Sequence, residues 1–174
     1  NMLAIRRVWI PLAAAALAFA ALSVQAQEAA FSAKMTGASQ LPEPTTSKAT
    51  GDLKLVVSAD GKKISYTLTV ENLRNPSGSD MHLGPDTANG PAVVKLFPAR
   101  GAAVKKGDFS GVLAEGTITA DDLAGPLLGS PLADLIEQIR DGNTYVNVHT
   151  DDGTPPANTG PGDYHLGEIR GQIK

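Results

Sequence analysis

The part of this chain that most constrains its fold is a pair of alternating stretches, Asp52-Leu53-Lys54-Leu55-Val56-Val57 and Ile64-Ser65-Tyr66-Thr67-Leu68-Thr69-Val70, separated by Asp60-Gly61. Successive side chains of an extended chain point to opposite faces. Leu53, Leu55 and Val57 therefore share one face, and Ile64, Tyr66, Leu68 and Val70 share one face of the next strand. Asp-Gly supplies the positive φ angles of a two-residue hairpin turn. The expectation is an antiparallel hairpin with one buried side.

The same reading finds further short strands: residues 31–41, interrupted by Gly37 and stopped by Pro42 and Pro44; Asp80 to Leu83 after a turn-rich segment at 72–79; and residues 91–97, 111–119, 144–150 and 168–173. Seven or eight short strands separated mostly by turn signals predict an all-β, antiparallel Greek-key-like β-sandwich or barrel. One short helix is inserted near 131–141. Ser130 is placed to cap it, Pro131 occupies its first position, Leu132, Leu135, Ile136 and Ile139 form one apolar stripe, and Gly142 ends it. Asp121-Asp122 opens a helical turn behind Thr119, and residues 151–163 read as the longest irregular loop.

The N-terminal residues stand apart from this pattern. Arg6-Arg7, an apolar run over residues 8–22 and the small-residue positions Val24 and Ala26 have the layout of a secretory signal peptide over 1–26. The run is shorter than the roughly 20 residues of a membrane-spanning helix. An uncleaved anchor is the other reading of the same segment. Cleavage before Gln27 leaves 148 of the 174 residues as one domain, 27–174, and moves the net charge from −3 to −5 by removing the two arginines. A mildly acidic chain without a basic stripe is not expected to bind nucleic acid, and no membrane span is expected after cleavage. The absence of cysteine excludes disulfides, thiolate metal sites and cysteine nucleophiles. No serine lies in a G-x-S-x-G setting, and no glycine-rich loop leads from a strand into a phosphate-binding helix.

Four ordered blocks carry a family resemblance. Residues 31–38 (FSAKMTGA), His82-Leu83-Gly84-Pro85 with 89–94 (NGPAVV), Leu132-Ala133-Asp134-Leu135 with 142–150 (GNTYVNVHT), and 167–173 (GEIRGQI) resemble the CHRD domain, the module named for chordin. The resemblance covers residues 31–173. It implies an extracytoplasmic β-sandwich of immunoglobulin-like or superoxide-dismutase-like character, as in bacterial secreted members. In chordin-like proteins such domains accompany growth-factor binding, and no enzymatic activity is established for the module; a fold-level analogy does not assign function. The family's central motif usually carries His-x-His where this chain has Asp80-Met81-His82. His165 lies outside the usual pattern.

Strand geometry places Asp80 and His82 on the face opposite Met81 and Leu83. Likewise Tyr145, Asn147 and His149 lie opposite Val146 and Val148, and Glu168, Arg170 and Gln172 opposite Ile169 and Ile173. If these strands are neighbours, Asp80, His82 and His149 converge, with His165 or Glu168 as a further donor. Carboxylate and imidazole ligands suit zinc or copper; the alternative is solvated or backbone-bonded histidines. Three histidines are too few for a dinuclear superoxide dismutase centre. Asp151, Asp152 and Asp163 invite a calcium reading but lack EF-hand spacing. Glu168 and Arg170 are placed to pair. The sequence therefore points to an exported, periplasmic or extracellular, non-enzymatic CHRD-type binding module, with a transition metal or an extracellular protein as its partner. A metal-dependent redox enzyme and a structural or adhesive domain remain the other readings.

Overall fold

In the computed structural model, residues 29–98 and 105–174 are described. The segment read as a signal peptide lies outside them. Eight strands form one antiparallel sheet: β1 (Ala29–Thr36), β2 (Thr50–Val57), β3 (Ile64–Arg74), β4 (Pro76–Leu83), β5 (Ala92–Phe97), β6 (Asp108–Ile118), β7 (Thr144–Thr150) and β8 (Ile169–Gln172). Their order across the sheet is β5-β4-β7-β8-β1-β2-β3-β6. The all-β antiparallel fold with one helix is as expected.

Alternation sets the register of the first half. Leu53 pairs with Leu68, Leu55 with Tyr66 and Val57 with Ile64, all buried. A one-residue slip would turn this whole set toward solvent. The second half, β5-β4-β7-β8, joins the first where β8 meets β1: the Ser32 N–H donates to the Lys174 carbonyl (2.8 Å) and the Lys174 N–H to the Ser32 carbonyl (2.9 Å). The sheet rolls far enough that its two edge strands, β5 and β6, come into contact, giving a nearly closed barrel around one core. The Tyr66 hydroxyl of β3 crosses that seam and donates to the Leu96 carbonyl of β5 at 3.0 Å.

Helix α1 (Leu132–Arg140) buries its apolar stripe, Leu132, Leu135, Ile136 and Ile139, in the core, about 1.5–3 kcal/mol for each side chain. Its start differs from the expectation. Pro131 is the N-cap, in extended conformation, and its carbonyl accepts from the Asp134 N–H (3.0 Å); no side chain caps the helix. The Asp60-Gly61 turn is also wider than two residues. The ladder closes at Val57 and Ile64, and the intervening loop folds around Asp60 Oδ1, which accepts from Ser58 Oγ and the Lys62 N–H. The segment 72–79 is strand rather than turn: β3 runs to Arg74 and β4 starts at Pro76, with the corner made at Asn72 and Asn75 in left-handed conformation. Asparagine tolerates that region better than other non-glycine residues. The helical turn at Ala120–Asp122 forms as expected, with a capping box from Thr119.

The outward side of β7 and β8 is not solvated. Tyr145, Asn147, Glu168 and Arg170 are buried although they point away from the core. Three loops roof them, held by β8 and by Glu168 just before it. The Glu168 carboxylate accepts from Ser47 Oγ, Thr150 Oγ1 and the Gly162 N–H. Arg170 donates to the carbonyls of Pro85, Asp86 and Ala88. Gln172 donates to those of Gly84 and Gly142.

Candidate metal centre beneath the roof

β4 and β7 are antiparallel neighbours, with Asp80 opposite Asn147, His82 opposite Tyr145 and Gly78 opposite His149. Asp80 and His82 alternate with the buried Met81, so both side chains reach the roofed face, where His149 meets them from the next strand. One ligand atom from each of Asp80, His82 and His149 lies within 4.8 Å of the others.

Both imidazoles are held by their Nδ1 atoms. His82 Nδ1 lies 3.0 Å from the Gly90 carbonyl and His149 Nδ1 2.9 Å from the His165 carbonyl. A carbonyl only accepts, so each ring donates from Nδ1, and it is Nε2 that offers a lone pair when the ring is neutral. His82 Nε2 is buried with no hydrogen-bond partner. His149 Nε2 lies 3.7 Å from Asp80 Oδ2, while Asp80 Oδ1 faces Lys95 Nζ at 3.3 Å. Burial pulls His149 below the ordinary imidazole value, which the hydrogen bond to His165 and the charge of Asp80 oppose and His82 and Lys95 reinforce. The neutral ring is the ligand form.

Behind the ligands stands a stack. The His82 ring lies on Tyr145, with centroids 4.8 Å apart and planes 10° from parallel, and the Arg170 guanidinium sits 3.9 Å over the Tyr145 ring. The Tyr145 hydroxyl donates to the same Gly90 carbonyl that fixes His82 (3.2 Å) and accepts from the Gly90 N–H (3.1 Å). Gly90 packs so closely on the Leu83 carbonyl that a Cβ there has no room. Arg170 thus grips residues 85–88, that loop places Gly90, and Gly90 sets the tautomer of His82. Such outer contacts orient metal-binding histidines.

The structure divides the four expected ligands. Asp80, His82 and His149 come together. The His165 ring does not join them: its Nε2 lies 3.0 Å from Asp151 Oδ1 and 3.3 Å from Asp163 Oδ1, a separate group, and only its carbonyl serves His149. Glu168 is no further ligand, because its carboxylate is committed to three donors under the roof. Nor does it pair with Arg170, which binds carbonyls instead. The sequence reading puts Tyr145 on the His149 face without a role there, and it assigns none to Lys95 or Gly90. Tyr145 was the most accessible of them, since it stands opposite His82 once β4 and β7 are known to pair.

These features define an antiparallel β-module with a roofed polar face, and no helix among the described residues is long and apolar enough to cross a membrane. The family model of the CHRD domain matches residues 31–173, so the chain belongs to the CHRD family. No curated protein matches it significantly.

Proposed function

We propose that this protein is an exported, non-enzymatic CHRD-domain module that binds one divalent transition metal, zinc or copper, through Asp80, His82 and His149. The observation that carries the reading is the shared tautomer: each Nδ1 is tied to a backbone carbonyl, and the His82 Nε2 is left buried and unpartnered beside a carboxylate. A buried polar atom without a partner costs about 1–3 kcal/mol, a cost that metal ligation removes. Two imidazoles and one carboxylate supply three positions of a tetrahedron and leave the fourth open. Export is supported by the signal-like composition of residues 1–26.

The test is metal analysis of protein purified without a histidine tag and dialysed against copper or zinc. Bound metal at this site should fall by one equivalent in His82→Ala/His149→Ala. If the double variant retains all the metal of the parent, or the parent takes up none, the same atoms serve only as a Lys95–Asp80–His149 polar network and the reading fails. Superoxide turnover by the loaded protein would replace the carrier reading with the redox enzyme.

A further inference from the structure

His165 Nε2 faces two carboxylate oxygens at once, Asp151 Oδ1 at 3.0 Å and Asp163 Oδ1 at 3.3 Å. One ring N–H can satisfy only one of them, and Asp151 is the nearer. Asp163 is 3% exposed, and its Oδ1 is buried without a hydrogen bond. Its other oxygen is anchored: Oδ2 accepts from the Thr159 N–H (2.9 Å) and Thr159 Oγ1 (2.7 Å), which fixes the carboxylate plane and holds Oδ1 toward His165. Asp151 Oδ1 is held by the Gly153 N–H at 2.6 Å. The two carboxylates are pinned from different parts of one loop, and the His165 ring lies between them beside a buried, unpartnered acceptor.

Ligand atoms on a tetrahedral zinc ion, at 2.0–2.1 Å from the metal, stand about 3.3 Å apart. Of the two separations measured from His165 Nε2, the one to Asp163 equals the tetrahedral edge and the one to Asp151 is about 0.3 Å shorter. Calcium takes 6–8 oxygen ligands and has no use for an imidazole, so three donors including one nitrogen favour zinc. A concavity of about 260 Å³, lined by Asp151, Gly153, Thr154, Pro155, Ala157 and His165, opens beside the group. It gives the ion a way in and leaves space for a water at the fourth position.

We propose that Asp151, Asp163 and His165 form a second zinc site, distinct from the Asp80 group and independent of it. In a zinc titration followed by calorimetry, the parent should bind two equivalents. His82→Ala/His149→Ala should keep one. His165→Gln and Asp163→Asn should each lose that remaining site or weaken it about tenfold or more, a ligand loss being at least as severe as the 10–100-fold typical of outer-shell changes. His165 is exposed enough to be replaced without disturbing packing, and melting curves confirm the fold of each variant. A His82→Ala/His149→Ala protein that binds no zinc, against a parent that binds one equivalent, overturns the second site while leaving the first intact. Binding that survives in that variant but is unaffected by His165→Gln also overturns it. A single equivalent lost only in His165→Gln and Asp163→Asn upholds the second site and refutes the Asp80 one. Stoichiometric calcium binding in place of zinc would overturn the assignment of the ion.

Discussion

Glu168 is 1% exposed and carries no cationic partner among the described residues. Its carboxyl oxygens are held instead by two hydroxyls at 2.5 Å and one backbone N–H at 2.8 Å, from Ser47, Thr150 and Gly162, while its own carbonyl accepts from Thr45 Oγ1 (2.8 Å). These donors belong to two loops and to the end of β7, so one side chain ties three backbone segments together. Glu168→Ala strands all three donors beneath the roof. Because an unsatisfied buried polar group costs about 1–3 kcal/mol, and such losses are not additive, the variant should be destabilised by about 3 kcal/mol. The measurement is the urea midpoint at unchanged denaturant slope; a midpoint equal to that of the parent would show that the roof does not depend on this carboxylate. The sequence told which way Glu168 points but not what it meets. Alternation distinguishes core from outside, and it brought Asp80, His82 and His149 to one face correctly. It says nothing about loops folding back over that face, and the partners come from far away: Ser47 lies 121 residues from Glu168, and Gln40, which donates to Asn147, lies 107 from it.

At the scale of elements, the strand pairings that alternation encodes were legible and the corners were not. The β2–β3 register follows from its apolar faces, whereas the width of the loop between them is decided by the local bonds of Asp60, and the β3–β4 corner by two asparagines. The junction of β8 with β1 had no sequence signal beyond a glycine. At Gly171 a Cβ would collide with the Lys34 carbonyl oxygen and sit 2.8 Å from its carbon, atoms of backbone that cannot rotate aside. Glycine is what lets β1 lie close enough to close the sheet. Gly171→Ala must push the strands apart, and overpacking of this kind costs about 1–3 kcal/mol. The loss should be local as well as global. Amide exchange at Ser32 and Lys174, whose N–H groups bond across the junction, should accelerate more than exchange at Leu53 or Leu68 in the β2–β3 ladder. Equal acceleration at both places would mean that the junction is not the site of strain.

The whole molecule is closed by a different bond. The edges β5 and β6 are in contact, and the Tyr66 hydroxyl reaches from β3 to the Leu96 carbonyl over that seam. Tyr66 is 8% exposed, and burial, with a smaller contribution from the charge of Asp122, raises its phenol above the ordinary value of 10.0. The direction of the linkage follows from which state loses its proton first. Above pH 10 the unfolded chain ionises at this residue while the folded one still holds the proton, so alkali favours unfolding. The contribution of Tyr66 is therefore complete below pH 10 and disappears as the pH rises through its folded value. Tyr66→Phe should cost about 1 kcal/mol at neutral pH through the lost hydrogen bond. The variant should then lose less stability than the parent between pH 9 and pH 11, since phenylalanine has no proton to release. A late-ionising step that belongs to Tyr66 should appear in an absorbance titration of the folded parent and be missing in the variant. Parallel loss of stability in parent and variant, or a late step that persists in Tyr66→Phe, would place the alkaline weakness elsewhere than at the seam that closes the sheet.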